Sequence, residues 1–199
     1  GGSAFDNCSG LTGSLTFPES LISIGNNTFR NCTGITGSIT MKKVATIGSE
    51  AFKNCSNATG TLDLGTNLVS IGNFAFANCG KLTGSITFPS TLEVLGAHAF
   101  EHCKSFTGGL IIPENITAIP EYAFRSCTGL NGTLTLPTTL LSIGNDAFKN
   151  CSALTSVTLG TSVTGIGYDA FYGCKSLTSV TIGNSVTSIG DYAFSNCSS

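Results

Sequence analysis

Leu11-Thr-Gly13-Ser14-Leu15-Thr16-Phe17-Pro18-Glu-Ser-Leu21-Ile-Ser-Ile24-Gly25-Asn-Asn-Thr28-Phe29-Arg-Asn-Cys32 is one period of this chain. Its closing phrase returns as Ala-Phe-x-x-Cys, with only Thr28 replacing the alanine. Cysteine therefore stands at positions 8, 32, 55, 79, 103, 127, 151, 174 and 197, always 23 or 24 residues apart. Self-similarity at such a period marks a solenoid, in which each unit buries its apolar face by stacking on the next.

Within the period, Leu15 and Phe17 alternate with Ser14 and Thr16, as in a strand with one buried face. The apolar pair returns as Ile39/Met41, Leu62/Leu64, Ile86/Phe88, Leu110/Ile112, Leu134/Leu136, Val157/Leu159 and Val180/Ile182, so stacked copies should form a parallel sheet. Proline (Pro18, Pro89, Pro113, Pro137) or glycine (Gly65, Gly160, Gly183) ends the strand by removing a ladder donor or permitting a turn. An extended arm follows, with two inward residues three apart, Leu21 and Ile24 in the first copy. The phrase around Ala-Phe-x-x-Cys is expected to form one or two turns of helix. Its Ala51, Phe52 and Cys55 would then share a buried side, leaving Glu50, Lys53 and Asn54 in water. An additional glycine precedes the strand at Gly13, Gly37, Gly60, Gly84, Gly108 and Gly132 but not in the last two repeats. It predicts a bulge or tight bend, and a change of curvature near Ser156.

Repeats such as Leu177-Thr-Ser-Val180-Thr-Ile182 followed by Val186-Thr-Ser-Ile189-Gly-Asp-Tyr-Ala-Phe194-Ser-Asn-Cys197 resemble the BspA-like, or Treponema pallidum-type, class of bacterial leucine-rich repeats. The resemblance covers essentially the whole chain. It implies an α/β repeat solenoid: a right-handed leucine-rich-repeat coil with a parallel β-sheet on one face, short helical turns, and about eight repeats of 23–24 residues in a single domain over residues 1–199. It further implies a surface or secreted protein that adheres to host or neighbouring-cell proteins, without enzyme activity or cofactor. A structural spacer for another domain and a glycan-binding face are the alternatives. No polar capping repeat closes either end, so a segment of a longer array is expected.

Composition narrows the partners. Nine Lys+Arg against eleven Asp+Glu give a formal charge of −2, and no basic cluster exceeds Lys42-Lys43. A phosphate-tracking surface needs several cations on one face, so nucleic acid is not an expected partner. No apolar run approaches a membrane span, and Gly1-Gly2-Ser3 has neither the basic start nor the apolar core of a signal peptide.

Catalytic patterns dissolve into the repeat. His98-Ala-Phe-Glu101-His102 matches the H-x-x-E-H of inverted zinc peptidases, which place both histidines and a general base on one helical face. The three matching residues are the variable positions of the repeat, and the neighbouring copies offer no third ligand. Gly165-Ile-Gly167-Tyr-Asp-Ala170 matches a dinucleotide fingerprint, yet Gly167 and Ala170 belong to the repeat consensus. The cysteines lack the clustering of metal ligands. Translated copies have parallel Cα–Cβ vectors, which suits disulfides poorly, so a ladder of buried thiols is expected. Sequons at Asn7, Asn26, Asn31, Asn54, Asn57, Asn115, Asn131, Asn150 and Asn196 are chance matches in a bacterial protein and acceptors in a secreted eukaryotic one.

The expected ligand face is the outward side of the strand ladder: Ser14, Thr16, Ser38, Thr40, Thr61, Asp63, Ser85, Thr87, Ile111, Thr133, Thr135, Ser156, Thr158, Ser179 and Thr181. β-Branched, weakly polar threonine suits any solvated sheet face. Solenoid sheets also serve as extended binding surfaces, and a nearly uncharged hydroxyl array favours flat contact with a protein or a glycan.

Overall fold

The computed structural model describes residues 1–199. Three elements of each repeat stack into three columns: a first strand, a short second strand and a turn. In the first column, Gly13–Thr16, Ile35–Thr40 and Leu62–Asp63 form one sheet, and Leu110–Ile111, Thr133–Thr135, Ser156–Thr158 and Ser179–Thr181 form another. The second column joins Ser23–Ile24, Thr46–Ile47, Ser70–Ile71 and Val94–Leu95, then Ala118–Ile119, Ser142–Ile143, Gly165–Ile166 and Ser188–Ile189. Every pairing is parallel and joins one repeat to the next. The register Leu110, Leu134, Val157, Val180 is the one the alternation predicts.

The third column corrects the sequence reading, because no repeat contains a helix. Two residues per turn, immediately before the alanine and immediately before the cysteine, take left-handed backbone: Glu50 (φ 57°) and Asn54 (φ 63°) in one copy, His98 (φ 57°) and His102 (φ 60°) in another. A right-handed helix cannot pass through such residues. The hydrogen bonds alternate instead. Ala51, Lys53 and Cys55 donate three residues back to Gly48, Glu50 and Phe52, while Glu50, Phe52 and Asn54 donate to Asn73, Ala75 and Ala77 of the next repeat. A helix would spend nearly all its N–H groups on itself; this turn gives half of them to its neighbour. The burial pattern survives the correction, with Ala51, Phe52 and Cys55 buried. Glu50, Lys53 and Asn54 are only half-buried, since the next turn lies against them.

Stacking at this spacing builds the core, a single cluster of 53 buried residues. Phe29, Phe52, Phe76, Phe100, Phe124, Phe148 and Phe171 form a continuous pile, with Phe76–Phe100 centroids 5.2 Å apart and Phe100–Phe124 5.5 Å apart in nearly parallel planes. Beside it the cysteines are free thiols. From Cys32 onward each donates its S–H to the phenylalanine carbonyl of the preceding repeat: Cys79 to Phe52 (3.0 Å), Cys103 to Phe76 (3.1 Å), Cys127 to Phe100 (3.1 Å). That carbonyl also accepts the N–H of the cysteine in its own turn. Outside the cysteines runs an asparagine ladder, Asn31 to Asn7 (2.9 Å), Asn54 to Asn31 (2.7 Å) and Asn78 to Asn54 (2.8 Å). Three of the sequon asparagines are therefore members of a hydrogen-bonded ladder.

The inserted glycines do mark irregular strand starts. Register shifts between Gly13 and Leu15, and Gly13, Gly84 and Gly108 take positive φ. Pairing near Ser156, however, runs unbroken from Thr133–Ser156 to Thr135–Thr158. The interruption of the first column falls at residues 85–88 instead, where only the bridges Thr61–Thr83 and Gly84–Phe106 connect the two sheets.

Two predictions follow from this core. Phe100 is fully buried between Phe76 and Phe124, with Phe88 and Phe106 edge-on. Phe100→Ala should cost about 3–5 kcal/mol in urea unfolding, and a loss below ~1 kcal/mol would contradict the pile. The second concerns pH. Burial pushes Cys32 up to about 11 and Cys127 up to about 12, and holds Cys103 and Cys151 well above an ordinary thiol. An unfolded thiol loses its proton from about pH 8.5 while the folded one keeps it, so the unfolded state binds fewer protons there and stability falls as pH rises. Stability should be insensitive to these groups below about pH 8 and decline up to pH 11–12, by at most ~1.4 kcal/mol per pH unit and thiol. The double variant Cys103→Ala/Cys127→Ala should show a shallower decline; an unchanged slope would mean that the thiols are not buried.

Candidate interaction faces

The strand column presents every residue expected on its outer face to solvent. Ser14, Thr16, Thr61, Asp63, Ser85, Thr87, Thr133, Thr135, Thr158, Ser179 and Thr181 are exposed, Ser38, Thr40 and Ser156 are half-buried, and Ile111 is 70% exposed. The alternation of a pleated strand causes this, since the intervening residues enter the core. The face divides into two lines of side chains. In the line nearer the strand start, hydroxyls knit adjacent repeats together: Ser14 Oγ accepts the Ser38 N–H (3.1 Å), Ser38 Oγ accepts the Thr61 N–H (3.0 Å), and the Thr133 and Ser156 hydroxyls share a hydrogen bond (2.8 Å). The second line is Thr16, Thr40, Asp63, Thr87, Ile111, Thr135, Thr158 and Thr181. None of its threonine hydroxyls has a partner within the protein, and Asp63 accepts the N–H of Gly65 (2.9 Å).

On the turn-side face most charged groups pair with one another, although Arg125 Nε and Asp169 Oδ1 are buried without a hydrogen-bond partner. Arg30 bridges Asp6 (2.7 Å) and Glu50 (3.3 Å), which holds the Asp6 carboxyl below its usual range and raises the guanidinium. Lys53 pairs with Glu50 (3.2 Å) and lies 4.6 Å above the Phe74 ring. Lys149 bridges Asp169 (2.5 Å) and Asp146 (2.9 Å), and these carboxylates raise its ammonium. Both aspartates are buried, so the lysine neutralises charges that desolvation would otherwise make costly.

His98 lies in the middle of that face, stacked between Phe74 (4.1 Å) and Tyr122 (4.4 Å). Its Nδ1 meets Glu101 Oε2 at 2.8 Å, while the other carboxylate oxygen reaches Arg125 (3.5 Å) and His102 Nε2 (3.6 Å). The H-x-x-E-H spacing thus occupies a non-helical turn, with both histidines left-handed. Its carboxylate is held by the surrounding cations and imidazoles, in the same way that Glu50 and Asp169 are held elsewhere. The glycine pattern at Gly165 falls inside a ladder strand, Gly165–Ile166, paired on both sides and opening no helix. Sequence reasoning missed a concavity on the strand side. A cleft of about 580 Å³ opens between residues 85–90 and 109–115. The available signal was the pair of exceptions Gly109 and Ile111, where the other repeats carry a hydroxyl or, at Asp63, a carboxylate.

Solved structures share this architecture. A T. pallidum leucine-rich repeat protein (TpLRR) is 26% identical, with a TM-score of 0.61 over 93% of this chain and 76% of its own. A leucine-rich repeat protein from Eubacterium ventriosum, 18% identical, superposes with a TM-score of 0.59 over 94% of this chain and 65% of its own, which is a likeness of fold alone. No curated protein matches the chain. The model of the BspA type leucine rich repeat region matches residues 1–107 and 127–199 in six copies, and the chain belongs to that family.

Proposed function

We propose that this chain is a non-enzymatic interaction module of a surface or secreted protein, and that it contacts a partner protein through the second line of the strand face. One observation carries the reading. Most charged groups of the turn face pair with one another, whereas the hydroxyls of Thr16, Thr40, Thr87, Thr135, Thr158 and Thr181 have no partner within the protein. Eight repeats at strand spacing give this line roughly 35 Å, enough for a standard interface. Family membership supports the same reading, because leucine-rich repeats commonly serve as protein-binding scaffolds; a partner on a host or neighbouring cell is part of the proposal.

The test compares two double variants of exposed residues. Thr135→Lys/Thr158→Lys puts charge and bulk on the strand face, and Lys104→Glu/Lys175→Glu alters the turn side; surface positions of this kind change stability by about 0.5 kcal/mol or less. Against a partner isolated by pull-down from host-cell surface and matrix proteins, the strand-face pair should weaken affinity about tenfold or more, through desolvation of the introduced ammoniums. Loss of affinity only in the turn-side pair would refute the strand-face assignment. Retention of glycans rather than proteins by the wild-type face would move the ligand class.

A further inference from the structure

The first column breaks where its outer face also departs from the hydroxyl pattern. Residues 85–88 make no main-chain hydrogen bond to either neighbouring repeat. In equivalent positions Ile39 donates to Thr61 (3.0 Å), Met41 to Asp63 (2.8 Å) and Ile112 to Thr135 (3.1 Å). The corresponding bonds, Ile86 to Gly109 and Phe88 to Ile111, are not made. The two chains are nevertheless tied at both ends of this stretch, by Thr107 N–H to Gly84 O (2.9 Å) and by Asn115 Nδ2 to Ser90 O (2.9 Å). The second column is also open between Val94–Leu95 and Ala118–Ile119. The turn column closes across the same junction, with His98, Phe100 and His102 donating to Glu121, Ala123 and Arg125. The repeats are therefore parted on the strand side about a continuous hinge, and the opening is the cleft of about 580 Å³. Gly84 (φ 81°) and Gly108 (φ 85°) stand at the strand starts of its two walls, two left-handed residues in successive repeats, a backbone that a side chain would resist.

We propose that this cleft binds an extended segment of a partner polypeptide, which pairs through its main chain with residues 85–88 and seats an apolar side chain against Ile86, Phe88, Ile111 and Pro113. A strand edge with free N–H and C=O groups in a partly buried setting calls for a main-chain partner, and adding a strand to an open edge is an established mode of peptide recognition. Four unpaired residues span about 13 Å, which suits a segment of four to six residues. The cleft contains no cation, so it gives an acidic ligand no counter-charge. Its one aromatic, Phe88, is half-buried against the phenylalanine pile, and Ile111 replaces a hydroxyl with an apolar side chain at its mouth. This deepens the protein-interaction reading and rests on it.

Two measurements test it on the full chain. In amide hydrogen exchange, Ile86 and Phe88 should exchange about 100-fold faster than Ile39 and Val157 in the free protein; protection equal to that of Ile39 would overturn the proposal. A displayed library of random heptapeptides, selected on wild type, should then yield binders with apolar residues at alternate positions. They should slow exchange at Ile86 and Phe88, lose about tenfold or more in affinity toward Ile111→Lys or when N-methylated, and bind Thr135→Lys as well as wild type. If no selected peptide depends on Ile111, the cleft is not the site. Such a failure is separable from failure of the strand-face reading, which is read from the partner protein's sensitivity to Thr135→Lys/Thr158→Lys.

Discussion

In every turn, alternate main-chain N–H groups go to the next repeat, and this allocation sets the vertical spacing of the molecule. It requires two left-handed residues per turn, each costing a non-glycine residue about 1–2 kcal/mol, and bulky ones such as Phe74, His98 and Tyr122 accept it. The return is cooperative. Once the turns are bonded at strand spacing, the phenylalanine rings stack, each thiol reaches the carbonyl behind it, and asparagine amides meet their copies above and below. Cysteine fits this position because it is small, apolar and still carries a donor for a carbonyl lone pair that would otherwise be wasted. Serine there would bring a costlier group into a dry site, and alanine would bring no donor at all.

Much of this was legible in the period itself. The cysteine and phenylalanine spacing identifies the stack, and the alternation Leu15/Phe17 against Ser14/Thr16 assigns the inner and outer faces of the strand correctly. The helix was misread because burial at i, i+1 and i+4 is equally produced by two successive tight turns. A signal against it was present: asparagine stands before the cysteine at Asn7, Asn31, Asn54, Asn78, Asn150 and Asn196, and asparagine is the non-glycine residue most at ease in left-handed backbone. No such signal marks the residue before the alanine, where Asn27, Glu50, Phe74, His98, Tyr122 and Asp146 have only their neighbours' demand for N–H groups in common. That demand exists only once the repeats are stacked.

The two faces differ in what stacking does to their side chains. On the turn side, long charged residues meet copies of opposite sign or aromatic rings one repeat away, so Arg30, Lys53, Arg125 and Lys149 all find partners. On the strand side, short hydroxyls at strand spacing reach a neighbour only in the line nearer the strand start. A column of threonine cannot satisfy itself as a column of alternating charges can. The apparent H-x-x-E-H site belongs to the first case. Glu101 follows the phenylalanine, the register of Arg30, Lys53 and Lys149, and it is held by Arg125, His98 and His102 as Glu50 and Asp169 are held by the cations beside them.

The turn column also explains where irregularity is allowed. Its hydrogen bonds admit no inserted residue, so the difference between 23- and 24-residue repeats is absorbed on the strand side: the last two repeats lack the glycine before the strand, and the Cys32–Cys55 repeat lacks a residue after it, Met41 and Val44 being three apart where Phe17 and Leu21 are four. The register shift after Gly13, the left-handed Gly84 and Gly108 and the unpaired residues 85–88 all lie on that side. A solenoid hinged along one bonded edge can part its strands locally without losing the phenylalanine pile, since Phe100 stays 5.2 Å from Phe76 and 5.5 Å from Phe124 across the opening. Backbone irregularity can then accumulate on the strand side, beside the face whose hydroxyls are free, while the turn backbone remains the same from repeat to repeat and varies only in its side chains.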